Sequence, residues 1–69
     1  MNTGEKLVGQ ANQIAAFFAP QGEARAVPAI ADHIKKFWDP GMRNTFLTLQ
    51  PQAHEKLHPL ARKAIQLIR

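Results

Sequence analysis

Two of the three histidines in this sequence have a spacing that can bind a metal. His54 and His58 are four residues apart, and at this spacing two imidazoles on one helix face can hold a metal ion. A zinc site needs a third ligand, however, and Pro59 places the pair in a loop or a first helical turn. We therefore expect solvated polar side chains here and no metal site.

The remaining histidine, His33, lies at the border of an apolar stripe, one helical turn before Phe37. Acid or base catalysis would need a pocket that orients a substrate, and short helices offer little concavity. The sequence has no glycine-rich phosphate loop, no serine with a suitable histidine and acid, and no close carboxylate pair. We expect no catalytic residue, and His33 is either a boundary side chain or a contact to a partner protein.

Size and composition predict one small folded domain that depends on packing or on a partner. The chain has 69 residues, 45% of them hydrophobic and 20% charged, which is typical of a folded protein. Such a short chain buries only about 60% of its unfolded surface. Without cysteine, it has neither disulfides nor thiolate metal ligands to compensate. A partner that covers apolar surface is therefore a serious expectation.

Charge and hydropathy limit the cellular setting. Residues 1–32 hold two basic and three acidic groups, whereas residues 33–69 hold seven basic and two acidic groups, so the halves carry −1 and +5. This asymmetry fits an acidic protein surface or a nucleic acid. The longest apolar run, from Ile14 to Ala19, is far shorter than a bilayer span. Polar residues near the N-terminus argue against a signal peptide, so we expect a cytoplasmic protein.

Apolar periodicity predicts two amphipathic helices in the first half. Residues 4–19 form the first, with Asn2 and Glu5 as a capping box before it. Residues 25–38 form the second, with Pro28 in the first turn, where an amide would be unpaired anyway. The apolar positions of the two helices are Leu7, Val8, Ala11, Ile14, Ala15 and Phe18, then Val27, Ile30, Ala31, Ile34, Phe37 and Trp38.

Two cap-and-proline pairs predict the remaining helices. Asp39 before Pro40 starts a helix over 40–49, with Leu47 off its apolar stripe, and His58 before Pro59 starts the last helix. Residues 50–58 read as a polar connection. No period-two alternation and no linker is present, so the prediction is an all-α fold, a compact single domain of three to four short helices over residues 1–69.

The aromatic residues divide into a core group and one outlier. Phe18, Phe37, Trp38 and Phe46 lie on or beside the predicted stripes and should be core. Phe17 lies about 60° from the nearest edge of its stripe, so we expect it to be partly exposed unless a partner covers it.

A nucleic-acid interpretation remains open as the alternative. The second and third helices would form a helix-turn-helix around residues 39–41. The basic residues it would use lie on polar faces or flanks: Lys35, Lys36, Arg62, Lys63 and Arg69. The third helix offers few polar side chains that could contact nucleic acid. The carboxylate of Asp39, which caps this helix, would face the negatively charged phosphate.

Two stretches, LVGQANQIAAFF over 7–18 and ADHIKKFWDPGMR over 31–43, carry a family resemblance. The Ala-Asn-Gln-Ile-Ala run with two phenylalanines, then His33, the Phe-Trp pair and the Met-Arg pair, follow one another at family-like spacing. Leu57, Pro59 and Ala64 fit more loosely. The chain resembles the small delta subunit of soluble NAD-dependent formate dehydrogenases.

The resemblance implies a non-catalytic accessory subunit that binds and stabilises, or helps to assemble, a cytoplasmic formate dehydrogenase complex. The larger subunits, above all the catalytic alpha subunit, are the implied partners, and they would hold molybdopterin, iron–sulfur clusters, FMN and NAD. This chain would carry no cofactor. No membrane contact is implied, and self-association of the isolated chain stays open. The implied partner-binding residues are Asn12, Gln13, Phe17, His33 and Arg43.

If Gln13, Phe17 and His33 form one patch, the Gln13 amide and the His33 imidazole would orient an interface that the Phe17 ring anchors.

Overall fold

The computed structural model describes residues 3–69, and within them every regular element is helical. The helices are α1 (Thr3–Phe18), α2 (Glu23–Phe37), α3 (Pro40–Leu47), α4 (Pro51–His54) and α5 (Pro59–Ile68), with a 3₁₀ turn at Ala19–Gln21 after α1. The all-α prediction is confirmed, with four helices of eight residues or more and the single-turn α4. The predicted cap residue Asn2 lies outside the described residues.

The core lies between α1, α2 and α5, and α1 contacts all four other helices. Small side chains let these helices approach closely, since six alanines are buried: Ala11, Ala15, Ala26, Ala31, Ala61 and Ala64. Phe46, Ile30, Ile34 and Ile65 are the largest fully buried side chains. The rings of Trp38 and Phe46 meet edge to face at 5.2 Å, which attaches α3 to the end of α2.

Both predicted cap-and-proline pairs are confirmed. Asp39 accepts a hydrogen bond from the Met42 amide at 2.8 Å through its carboxylate, and Pro40 is the first residue of α3. The Nδ1 atom of His58 accepts from the Leu60 amide at 3.1 Å, and Pro59 begins α5. In each case a side-chain acceptor satisfies an amide that the first helical turn leaves free.

Three predictions for the second half of the chain need correction. Helix α3 ends at Leu47 rather than at residue 49. The cap residue Thr48 leaves the helical conformation with φ −115° and ψ 28°, and its hydroxyl donates to the Asn44 carbonyl oxygen at 2.8 Å. Leu47 itself packs partly buried against the core. The predicted polar connection over 50–58 contains α4, which begins at Pro51.

The start of α2 is also earlier than predicted, at Glu23 instead of residue 25. Gly22, with φ 90°, adopts a backbone conformation that side chains disfavour, and its carbonyl oxygen accepts from the amides of Arg25 and Ala26. Pro28 is consequently the sixth residue of the helix and lies inside it. It cannot donate to the carbonyl oxygen of Ala24, four residues earlier.

We therefore expect Pro28→Ala to stabilise the chain. The substitution restores one helical hydrogen bond at an exposed position, and the gain in the free energy of unfolding, offset by a more flexible unfolded chain, should be about 1 kcal/mol. Thermal unfolding followed by circular dichroism measures it. Pro59→Ala is the matched control, because Pro59 is the first residue of its helix and blocks no bond. A Pro28→Ala chain no more stable than the control would contradict the argument.

Candidate docking surface

Four aromatic rings form one continuous surface where the C-terminal ends of α1 and α2 lie side by side. Phe17 and Phe18 meet edge to face at 5.1 Å, Phe18 lies 6.3 Å from His33, and His33 lies 4.8 Å from Phe37, centroid to centroid. We call these four residues the aromatic face. Residues 15 or more positions apart thus become neighbours through the packing of α1 on α2.

Two rings of the aromatic face are largely exposed, Phe17 at 74% and Phe37 at 71%. The prediction that Phe17 is exposed is confirmed, and the prediction that Phe37 is core is wrong. Trp38 takes the core position one turn after Ile34 and is only 7% exposed. Phe37, one residue earlier, points about 100° away around the helix. The four-residue step from Ile34 to Trp38 was the sequence signal that could have shown this.

A shallow apolar cavity of about 230 Å³ opens beside these rings. It is lined by Gln13, Ile14, Phe17, Phe18 and His33. The structure therefore brings Gln13, Phe17 and His33 together in one patch, as the sequence hypothesis required. An amide and an imidazole beside an apolar notch can accept and donate hydrogen bonds to a segment that fills it.

Asn12 has a structural role that the sequence did not reveal. Its Nδ2 donates to the Lys56 carbonyl oxygen at 2.9 Å, and its Oδ1 accepts from the His58 amide at 2.7 Å. These two bonds hold the loop before α5 against α1. A role of Asn12 in partner binding stays a prediction.

Arg43 lies in a second groove. This groove shares no lining residue with the cavity beside the aromatic face. The groove is lined by Pro40, Arg43, Asn44, Leu47 and Ile68. The Nε atom of Arg43 is buried and has no hydrogen-bond partner among residues 3–69. The structure thus separates the five predicted partner-binding residues into three places: Gln13, Phe17 and His33 in the patch, Asn12 at the α1–loop contact, and Arg43 in the groove.

The family model of the NADH-dependent formate dehydrogenase delta subunit, FdsD, matches residues 6–65. The chain belongs to this family. The match includes α2, α3, α4 and nearly all of α1, and therefore both ends of the aromatic face. A delta subunit of a multi-subunit dehydrogenase has larger partner subunits. A search of curated proteins finds no match, and a search of solved structures finds none either.

Some of the groups that a nucleic-acid interface would use are engaged within the delta subunit. In α3 the Thr45 hydroxyl donates to the Gly41 carbonyl oxygen at 3.0 Å. Lys36 pairs with Asp32 at 3.1 Å, and Lys63 pairs with Glu23 at 2.7 Å. A hydroxyl or an amine that is engaged in such a contact is less available to bind phosphate.

The histidine pair does not share a helix face in the delta subunit. His54 ends α4, whereas His58 caps α5 with its Nδ1 already bonded to Leu60. Over residues 3–69 no group of three or more histidine, acidic or cysteine side chains is placed to hold a metal ion. Within the same residues no helix is long and apolar enough to cross a bilayer.

Proposed function

We propose that this delta subunit is a non-catalytic accessory subunit that binds the large subunits of a cytoplasmic NAD-dependent formate dehydrogenase and stabilises or helps to assemble them. The observation that carries the proposal is the aromatic face, with Phe17 at 74% and Phe37 at 71% exposure beside the half-buried Phe18 and His33. Exposed apolar surface gathered in one place marks an interaction site.

The aromatic face has the composition of an interface centre. A phenylalanine that passes from water into a protein contact removes a large apolar area, and aromatic residues are enriched in interface cores. Gln13 and His33 supply the polar groups that fix orientation. Asp32 and Lys36, which precede His33 and Phe37 in the chain, pair with each other at 3.1 Å, so the charges of this pair balance.

The partner that we propose for the aromatic face is the catalytic alpha subunit. In this proposal molybdopterin, iron–sulfur clusters, FMN and NAD belong to the larger subunits, and the delta subunit holds none of them. The residues of the delta subunit do not fit an iron–sulfur cluster, because such clusters are held mainly by cysteine thiolates and the sequence has no cysteine. The delta subunit would act by contact alone.

The proposal is tested by producing the large subunits with and without the delta subunit. We expect the complex made without it to lose subunits or to contain less molybdenum and iron per catalytic subunit. Native mass spectrometry gives the subunit composition, and metal analysis of the same sample gives the cofactor content. Loss of subunits would indicate assembly, and an intact but metal-poor complex would indicate stabilisation of the loaded state.

An unchanged complex, together with no binding of the purified delta subunit to it, would contradict the proposal. A second copy of the chain is the competing occupant of the aromatic face. Sedimentation of the isolated delta subunit over a range of concentrations separates the two cases. A tight homodimer that persists when the large subunits are added would also count against the proposal.

A further inference from the structure

The Arg43 guanidinium has no acceptor within the part of the chain that the structure describes. Its Nε is buried without a hydrogen bond, and over residues 3–69 no carboxylate forms an ion pair with it. Asp39, four residues earlier, is the acid that would normally pair with an arginine on the same helix face. Its Oδ1 instead caps α3 through the Met42 amide at 2.8 Å.

The buried Nε is out of reach of a ligand, but the terminal nitrogens of the same guanidinium are not buried and make no hydrogen bond within residues 3–69, so they are free to bind an acceptor. The surroundings limit what that acceptor can be. Leu47, Ile68 and the Pro40 ring give the groove apolar walls, and Asn44 adds one amide. A ligand that fits must therefore combine a compact anion with an apolar stem.

The charge balance also favours an anion. Residues 33–69 carry a formal charge of +5, and one of their two acids, Asp39, is engaged at the helix cap. A carboxylate can accept from an arginine through two parallel hydrogen bonds, and the two terminal nitrogens of Arg43 can supply both donors.

We propose that the Arg43 groove binds a carboxylate side chain, an aspartate or glutamate, of a larger formate dehydrogenase subunit. The inference rests on the proposed function and adds a second contact with stated chemistry. The carboxylate meets the two terminal nitrogens of Arg43, while its methylene stem packs against Leu47 and Ile68. A nucleic-acid phosphate fits less well, because a single guanidinium lies between apolar walls, whereas binding to a phosphate backbone uses several cationic groups.

The first test measures binding of the delta subunit to a formate dehydrogenase complex prepared without it. We expect Arg43→Gln to weaken binding about 30-fold, since a buried partner carboxylate would lose its only counter-charge. Arg43→Lys keeps the charge but not the paired donors, so its loss should be intermediate. Arg25→Gln is the matched control, because Arg25 is exposed and its side chain makes no ion pair within residues 3–69.

Thermal unfolding of the isolated variants shows whether the fold is intact. Because the Arg43 guanidinium makes no hydrogen bond within residues 3–69, we expect the midpoint of Arg43→Gln to stay within about 4 °C of the wild type. Weaker binding with an unchanged midpoint supports the proposal. Binding of Arg43→Gln equal to that of Arg25→Gln overturns it.

The second test identifies the chemistry of the acceptor. In the Arg43→Lys complex, formed at saturating concentration, a water-soluble carbodiimide should join the new amine to the partner carboxylate as an amide. Mass spectrometry should locate a cross-link between position 43 and an aspartate or glutamate, and Arg25→Lys should give none. Cross-links at native lysines without one at position 43 would overturn the carboxylate assignment.

The outcomes distinguish this inference from the proposed function. If wild-type delta subunit does not bind the complex, the proposed function itself fails. If it binds and Arg43→Gln binds equally well, only the groove inference fails. A 20-base-pair duplex that binds the wild type and is lost with Arg43→Gln, while the complex is retained, would assign the groove to phosphate and overturn the carboxylate.

Discussion

Replacing Phe17 with alanine should weaken binding of the delta subunit to the large formate dehydrogenase subunits by about 30-fold or more, the usual effect of removing an aromatic hot spot. Phe17 is 74% exposed, extends the line of rings through Phe18, His33 and Phe37, and lines the adjacent cavity. The substitution therefore removes apolar contact area from the centre of the proposed interface. Titration of the labelled chain with a complex that lacks it measures the effect.

Leu67→Ala is the matched control for Phe17→Ala. Leu67 is another large exposed apolar residue, 48% accessible, and it belongs neither to the aromatic face nor to the cavity beside it. We expect it to change the affinity less than about threefold. Both variants should keep the unfolding midpoint of the wild type, because an exposed side chain contributes little to folding. If Phe17→Ala binds as tightly as wild type, the aromatic face is not the docking surface.

Replacing Asn12 with alanine should have the largest effect on the stability of the isolated chain. The change removes both bonds to the loop before α5 and leaves the half-buried His58 amide without an acceptor. The expected loss in the free energy of unfolding is about 2 kcal/mol. For a domain of this size that corresponds to a fall of about 10 °C in the unfolding midpoint, which calorimetry or circular dichroism measures.

Two further variants make the Asn12 prediction specific. Gln13→Ala removes the neighbouring amide, which is exposed and makes no hydrogen bond within residues 3–69. We therefore expect the free energy of unfolding to change by less than about 0.5 kcal/mol. Asn12→Asp keeps the acceptor for the His58 amide but loses the donor to the Lys56 carbonyl oxygen. Its free energy of unfolding should lie between those of Asn12→Ala and Gln13→Ala. Equal midpoints for Asn12→Ala and Gln13→Ala would show that the two bonds contribute nothing to stability.

Local features of the sequence predicted most of the secondary structure. A cap carboxylate before proline, as at Asp39, acts on amides two or three residues away, so its effect is readable without knowing the fold. The same holds for His58 before Pro59. The earlier start of α2 was missed because it depends on Gly22, whose positive φ cannot be inferred from the residue type alone.

The candidate site could be predicted only in part. The exposure of Phe17 followed from its angle on one helix, but the exposure of Phe37 depended on Trp38 packing against Phe46 in another helix. The bonds of Asn12 cross 44 and 46 residues, and no local rule pairs an amide with a loop that far along the chain.

The sequence by itself determined that the chain is helical, where two of its helices begin and which family it resembles, because these depend on periodicity, caps and residue order. Only the tertiary structure decided which rings stay in water, which amide holds the loop and which arginine Nε is buried without an acceptor among residues 3–69. Those outcomes depend on the distances between helices. They are set when α1, α2 and α5 pack on one another, and the same packing leaves the aromatic face and the Arg43 groove available to a partner.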